Sequence, residues 1–109
     1  MSIHLKEGTS QYTVTSSDAE VVTIGEADYL SYHTTVTINS PVTNCYMNVL
    51  WSNDNTNWVQ ATQTQITDDG QVIGTQVSPI GFNYLKIQWV LDSGEIEVNN
   101  SYCLRQMLD

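Results

Sequence analysis

The chain has 109 residues, the length of one domain, and can bury roughly two-thirds of its unfolded surface. Apolar residues make up 40%, which excludes wholesale disorder, and twelve carboxylates against three basic side chains give a formal charge of −9. That balance excludes phosphate-backbone binding, which needs clustered Lys and Arg, and it excludes docking on an anionic membrane surface.

Thr, Val, Ile and Tyr suit pleated, half-buried surfaces, and the helix formers Ala, Lys and Arg are scarce. The start, "MSIHLKEGTS", lacks the basic-then-apolar pattern of a signal peptide, and no stretch approaches the apolar length of a membrane span. The chain is expected to stay in the cytosol where it is made, or to leave by a leaderless route. Residues 1–10 read as an N-terminal arm, and 11–109 as the folded domain.

Alternation then dominates. "QYTVTS" (11–16) puts Tyr12 and Val14 on one face, and "EVVTI" (20–24) is a short strand closed by Gly25. From Tyr29 to Ile38, Leu30, Tyr32, Val36 and Ile38 share a face opposite Ser31, His33, Thr35 and Thr37. "NSPVTN" (39–44) is expected to interrupt that run, because Pro41 cannot donate to a ladder. "CYMNVLW" (45–51) places Cys45, Met47, Val49 and Trp51 together.

The polar run "SNDNTN" (52–57) reads as a turn, since Asn and Asp tolerate left-handed backbone and bond their own main chain. Trp51 and Trp58 flank it and can close the mouth of the hairpin. A weaker strand, "WVQATQT" (58–64), leads to "DDG" (68–70), a turn of the kind a tight hairpin needs. "QVIGTQV" (71–77), the connection "SPIGFN" (78–83) and "YLKIQWVL" (84–91) follow, the last with Leu85, Ile87, Trp89 and Leu91 inward. After "DSG", "EIEVNN" (95–100) turns Ile96 and Val98 inward, and "SYCLRQM" (101–107) ends the run. About eight short strands so spaced predict a single antiparallel β-sandwich, jelly-roll-like or immunoglobulin-like.

No catalytic constellation stands out. Asn53, Asp54, Asn55, Asp68 and Asp69 offer hard oxygens, but the ordered calcium-loop spacing is absent, so no metal or other cofactor is expected. Glu95 and Glu97 sit on one strand face, opposite Ile96 and Val98, where solvation explains them better than glycosidase chemistry. His4 and His33 have no G-x-S-x-G serine to serve. Cys45 and Cys103 form no C-x-x-C pair and read as small hydrophobes. Tyr29, Tyr46, Trp58, Tyr84 and Tyr102 are the rings that could project outward as a sugar-stacking platform.

"LWSNDNTNWVQAT" resembles a segment of small β-sandwich domains in bacteriophage structural proteins, where a strand ends in a Ser-Asn-Asp-Gly-type turn followed by Asn-Trp. "NYLKIQWVLDSGEIEVNNSYCLRQ" (83–106) continues the pattern in order, with Asn55 where glycine is usual and Lys86 where arginine is usual. Similar turns occur in carbohydrate-binding and discoidin-like sandwiches. The resemblance implies a non-enzymatic virion protein, a capsid decoration or cement protein held to the particle by sheet-edge and arm contacts. Its partners would be the major capsid protein or tail components, together with copies of itself, for example as a trimer. The residues expected to touch partners are Ile3, His4 and Leu5 of the arm, Asn53, Asp54 and Asn55 of the turn, and Trp58. The competing expectation is a carbohydrate-binding module or tail-fibre component that reads host glycan through loops 39–44, 52–57 and 78–83.

Overall fold

Period-two segments become strands here because each buries one side chain in two against an opposing sheet. A computed structural model describes residues 2–107, with eight strands in chain order. They are β1 (Ser2–Val14), β2 (Asp18–Thr23), β3 (Tyr29–Thr43), β4 (Tyr46–Ser52), β5 (Val59–Gln65), β6 (Gln71–Val77), β7 (Tyr84–Val90) and β8 (Ser93–Met107). One sheet runs β1-β8-β3-β6 and the other β2-β7-β4-β5, every pair antiparallel. Only β4 to β5 is a hairpin within a sheet; every other connection crosses from one sheet to the other. That wrapping is a jelly roll, which decides against the immunoglobulin-like order.

The core lies between the sheets. β7 sends Leu85, Ile87 and Trp89 inward, β4 sends Met47, Val49 and Trp51, and β8 sends Ile96, Val98 and Leu104. From β3 come Leu30, Tyr32 and Val36, so the inward residues expected from alternation are the ones that pack. Cys45 is buried with them as a free thiol, whereas Cys103 is half-buried on the outer side of the first sheet. Burial pushes the Cys45 thiol above its ordinary pKa, which keeps it protonated and unreactive.

Four boundaries differ from the sequence reading. Residues 2–10 make no separate arm: β1 is unbroken and pairs along β8 from Ser2–Met107 to Val14–Ile96, with one bulge at Leu5. The apolar alternation that marks the other strands fails there because the inward positions hold Lys6 and Gly8, with the Tyr102 ring lying over Gly8. Pro41 does not end β3 but sits where its register against β8 slips, between the Ser40 and Thr43 pairings. The Asp-Gly turn forms, with Gly70 at φ +78°, yet it carries the chain from one sheet to the other instead of closing a hairpin. Finally, 95–100 and 101–107 belong to one strand, β8, which joins β1 to β3 over almost their whole length.

The connections sort to two ends. At one end meet the start of β1, the finish of β8 and the loops 24–28, 53–58 and 78–83. They are tied by Ile24 N to Asn83 O (2.8 Å), Asn83 N to Ser52 O (3.1 Å) and Asp28 N to Arg105 O (3.1 Å). All the partner-contact residues expected from sequence lie at this end.

Candidate functional site

The turn after β4 is built around Asp54. Its Oδ1 accepts from Thr56 N (2.9 Å), Asn57 N (2.8 Å) and Ser52 Oγ (2.9 Å), and its Oδ2 from Asn57 Nδ2 (2.7 Å). The Ser52 hydroxyl in turn accepts from Asp54 N and Asn55 N, and Asn55 takes the left-handed backbone at φ +60°. The loop is therefore a self-satisfied turn whose carboxylate is spent on its own backbone. Those donors hold the Asp54 carboxyl well below the usual carboxylate range. A depressed value means the contribution to the turn is complete above the ordinary 3.8 and is lost as the pH falls through the lowered one. A side-chain NMR titration should find Asp54 still ionised at about pH 3, with Asp54→Ala freeing the amides of Thr56 and Asn57.

Asn53, Asp54 and Asn55 are exposed, with the Asp54 carboxylate turned into its own loop, and Asn53 O accepts from Asn83 Nδ2 (3.1 Å). Trp58 leaves this turn altogether: Lys86 Nζ stands 4.2 Å from its ring centroid, so the ring lies over the outer face of the second sheet. Ile3 (44% exposed) and Leu5 (41%) flank His4 on β1, near Met107 (46%), and form an apolar tip on the first sheet. His4 stands 3.5 Å from the Glu7 carboxylate, both side chains well exposed. The structure thus places the seven expected residues in three patches at one end, instead of one surface.

Among the described residues no group of His, Cys, Asp or Glu is clustered so as to hold a metal ion, and no helix is long and apolar enough to cross a membrane. Glu95 takes a hydrogen bond from Asn39 Nδ2 and Glu97 from Gln11 Nε2, as neighbours on a solvated sheet face. His33 is exposed on that same face, and Asp69 caps the backbone N–H of Ile38 (2.8 Å).

The rings divide in a way alternation alone did not fix. Tyr29 lies on the outer side of the first sheet and donates to Gln76 Oε1. Tyr102 points inward. Tyr46 and Tyr84 lie on the outer side of the second sheet, the side that Trp58 covers. Alternation along 84–91 already puts Lys86 and Gln88 outward with Tyr84, as found, whereas sequence reasoning missed their cross-strand companion Asn48. The parity of Asn48 with Tyr46 along β4 was the available signal.

A second polar cluster was also missed. Asn100 and Thr34, both on inward positions, bond to each other inside the sandwich, and Asn100 Nδ2 donates to Tyr12 OH (3.1 Å) and Glu20 Oε2 (2.8 Å). Trp89 Nε1 donates to the same Tyr12 oxygen (2.8 Å), and Ser10 Oγ donates to Glu20 (2.9 Å). The network stitches β1, β8 and β3 of one sheet to β2 and β7 of the other. Ser10, Tyr12 and Glu20 of this network also line an open depression of about 330 Å³ together with Asp18 and Ala19, with the Glu20 carboxylate held by Ser10 and Asn100.

Burial, helped by the nearby Glu20 charge, pushes the Tyr12 phenol up to about 12. A raised phenol pKa means the folded chain holds that proton more tightly than the unfolded one. The corresponding stability is complete below pH 10 and is lost as pH rises towards 12. Urea midpoints should therefore fall across that window, and more steeply than in Tyr12→Phe, which lacks this phenol.

No protein-family model matches this chain, and no curated protein matches it in sequence. Solved structures do match its fold. The SPBc2 prophage-derived protein YomS aligns with a TM-score of 0.57 at 13% identity, covering 94% of this chain and 97% of that one. The Yersinia pseudotuberculosis-derived mitogen aligns at 0.60 and 7% identity, covering 95% and 90%. A structure described as "CBM4 structure and function" aligns at 0.58 and 11%, covering 95% and 76%. At such identities the likeness establishes the fold, a sandwich shared by a phage-derived protein and by proteins of other kinds.

Proposed function

We propose that the chain is a non-enzymatic structural protein of a phage particle, a decoration or cement protein that binds the particle surface and stabilises it. The observation that carries this reading is the free edge of β1: thirteen residues long, paired on one side only, and tipped by exposed Ile3 and Leu5. An edge of this kind offers a row of unmatched N–H and C=O groups to a strand from a neighbour. Near-complete mutual coverage with a prophage-derived protein supports the assignment. Capsid protein and copies of the chain itself are the partners, with a trimer as one closed arrangement that would cover the edges. Many copies on one particle would gain affinity together from weak single contacts.

The edge is part of the sheet, so deleting residues 1–10 would strip β8 of its partner and confuse binding with folding. Ile3→Lys combined with Leu5→Lys is the cleaner test. It should abolish rebinding to stripped particles while shifting stability by only about 0.5 kcal/mol, because both side chains are already half in solvent. Undiminished rebinding would exclude the edge. Mass spectrometry of gradient-purified particles should find the chain in many copies, and its absence from complete particles would overturn the whole reading.

A further inference from the structure

The outer face of the second sheet has a composition that the particle reading leaves unused. Cross-strand pairing aligns Gln88, Asn48 and Gln63 in one row, and Lys86, Leu50 and Gln60 in the next. Tyr46, beside Gln65, closes one end; Tyr84, opposite Ser52, closes the other, with Trp58 held over Lys86 between them. In a chain of charge −9, no carboxylate occupies an outward position on these four strands. Lys86 has no carboxylate partner among the described residues. Within the amide row, Asn48 is 5% exposed and donates to Gln88 Oε1 (3.3 Å), but its own Oδ1 has no hydrogen-bond partner. A buried acceptor left in that state costs free energy, which turning the amide to meet a donor over the row would recover.

We propose that this face is a binding platform for a neutral oligosaccharide, lying along the line from Tyr46 to Tyr84. Six residue steps along β4 lead from Tyr46 to Ser52, the neighbour of Tyr84, which sets the strip at roughly 20 Å, the length of several pyranose rings. The rings at its ends and middle suit the apolar faces of sugars. Its amides each carry a donor and an acceptor, as each sugar hydroxyl does. A protein surface fits less well: its apolar contacts would strand those amides without partners. A second copy is disfavoured by size as well, since four strands by this length present only roughly 400 Å², against the roughly 800 Å² per partner of a stable complex. The platform is independent of the β1 edge, on the other sheet, so either assignment can fail without the other.

The test uses the whole chain, labelled with nitrogen-15 and titrated with cellobiose, cellotetraose, mannotetraose and chitotetraose. At least one tetrasaccharide should shift the side-chain amides of Gln60, Gln63 and Gln88 and the Trp58 indole, and should bind about tenfold more tightly than its disaccharide. Trp58→Ala and Tyr84→Ala should each weaken binding by about tenfold or more. Gln63→Ala, on an exposed side chain that the fold does not need, should weaken it too, and Val72→Thr on the other sheet should not. Shifts on the first sheet, binding indifferent to these substitutions, no response to any of the four sugars, or the same face shifting with protein concentration through self-association would each overturn the proposal.

Discussion

Gly94→Ala is expected to destabilise the chain by about 2–4 kcal/mol, a large part of what a domain of this size has. Two costs combine. Gly94 has φ +99°, a backbone conformation that side-chain-bearing residues seldom adopt. A β-carbon at that position would also press on the Pro41 carbonyl and on Val42 Cα, which are backbone atoms and cannot swing aside as a side chain would. The site is where β8 begins against the slipped end of β3, so the strain falls on the pairing of Ser40 with Glu95 and Thr43 with Ser93. Chemical denaturation should show the loss as a lower midpoint at nearly unchanged slope, since the folded surface is the same. A change below about 0.5 kcal/mol would mean that the strand ends relax freely and that the close approach has no energetic weight.

That glycine also illustrates which parts of the fold were legible. "DSG" announced a turn, and a turn was found, but nothing in the tripeptide says that its glycine must pass beneath a proline more than fifty positions earlier. Strands that bury one face fully could be read directly: Leu85, Ile87 and Trp89 alternate with Lys86 and Gln88, and the core follows. β1 could not, because its inward positions near the tip carry Lys6 and Gly8 and draw their meaning from Tyr102 on another strand. Sheet order stayed hidden for a related reason. Alternation reports which face of a strand is buried and is silent about which neighbour it pairs with.

The candidate surfaces were legible in a similarly partial way. Asn and Asp in "SNDNTN" predicted a turn by their chemistry, and the bonds to Asp54 supply one. Trp58 was grouped with that turn because it is adjacent in sequence, whereas one step of parity carries it to the other side, over Lys86. Proximity along the chain was a poor guide to shared surface, and side-chain parity within a strand was a good one. The same parity flags Glu20, in step with Val22 and Ile24, and Asn100, in step with Ile96 and Val98, as polar residues aimed at the core.

Asn100 should prove the most costly of these polar residues to lose, with Asn100→Leu expected to destabilise by about 3–4 kcal/mol. Its amide serves three partners, Thr34 on the oxygen side and Tyr12 and Glu20 on the nitrogen side. Thr34 is fully buried, so its hydroxyl would be stranded without water to replace the lost acceptor. Glu20 would keep its donor Ser10 on β1 but lose the one on β8. The penalty comes chiefly from abandoned partners and much less from the missing bond energy, which yields a sharper test than the single substitution. Adding Thr34→Val to Asn100→Leu removes a stranded hydroxyl along with its lost acceptor and should restore about 1–2 kcal/mol. If the double variant is as unstable as the sum of the two single ones, the coupling is absent and the network does not act as a unit. Asn100→Asp offers the complementary reading, because it sets a second carboxylate beside Glu20 in a buried position. That variant should gain stability as the solution is acidified from neutral pH, the reverse of the trend set by Asp54, since protonating either carboxyl relieves the repulsion.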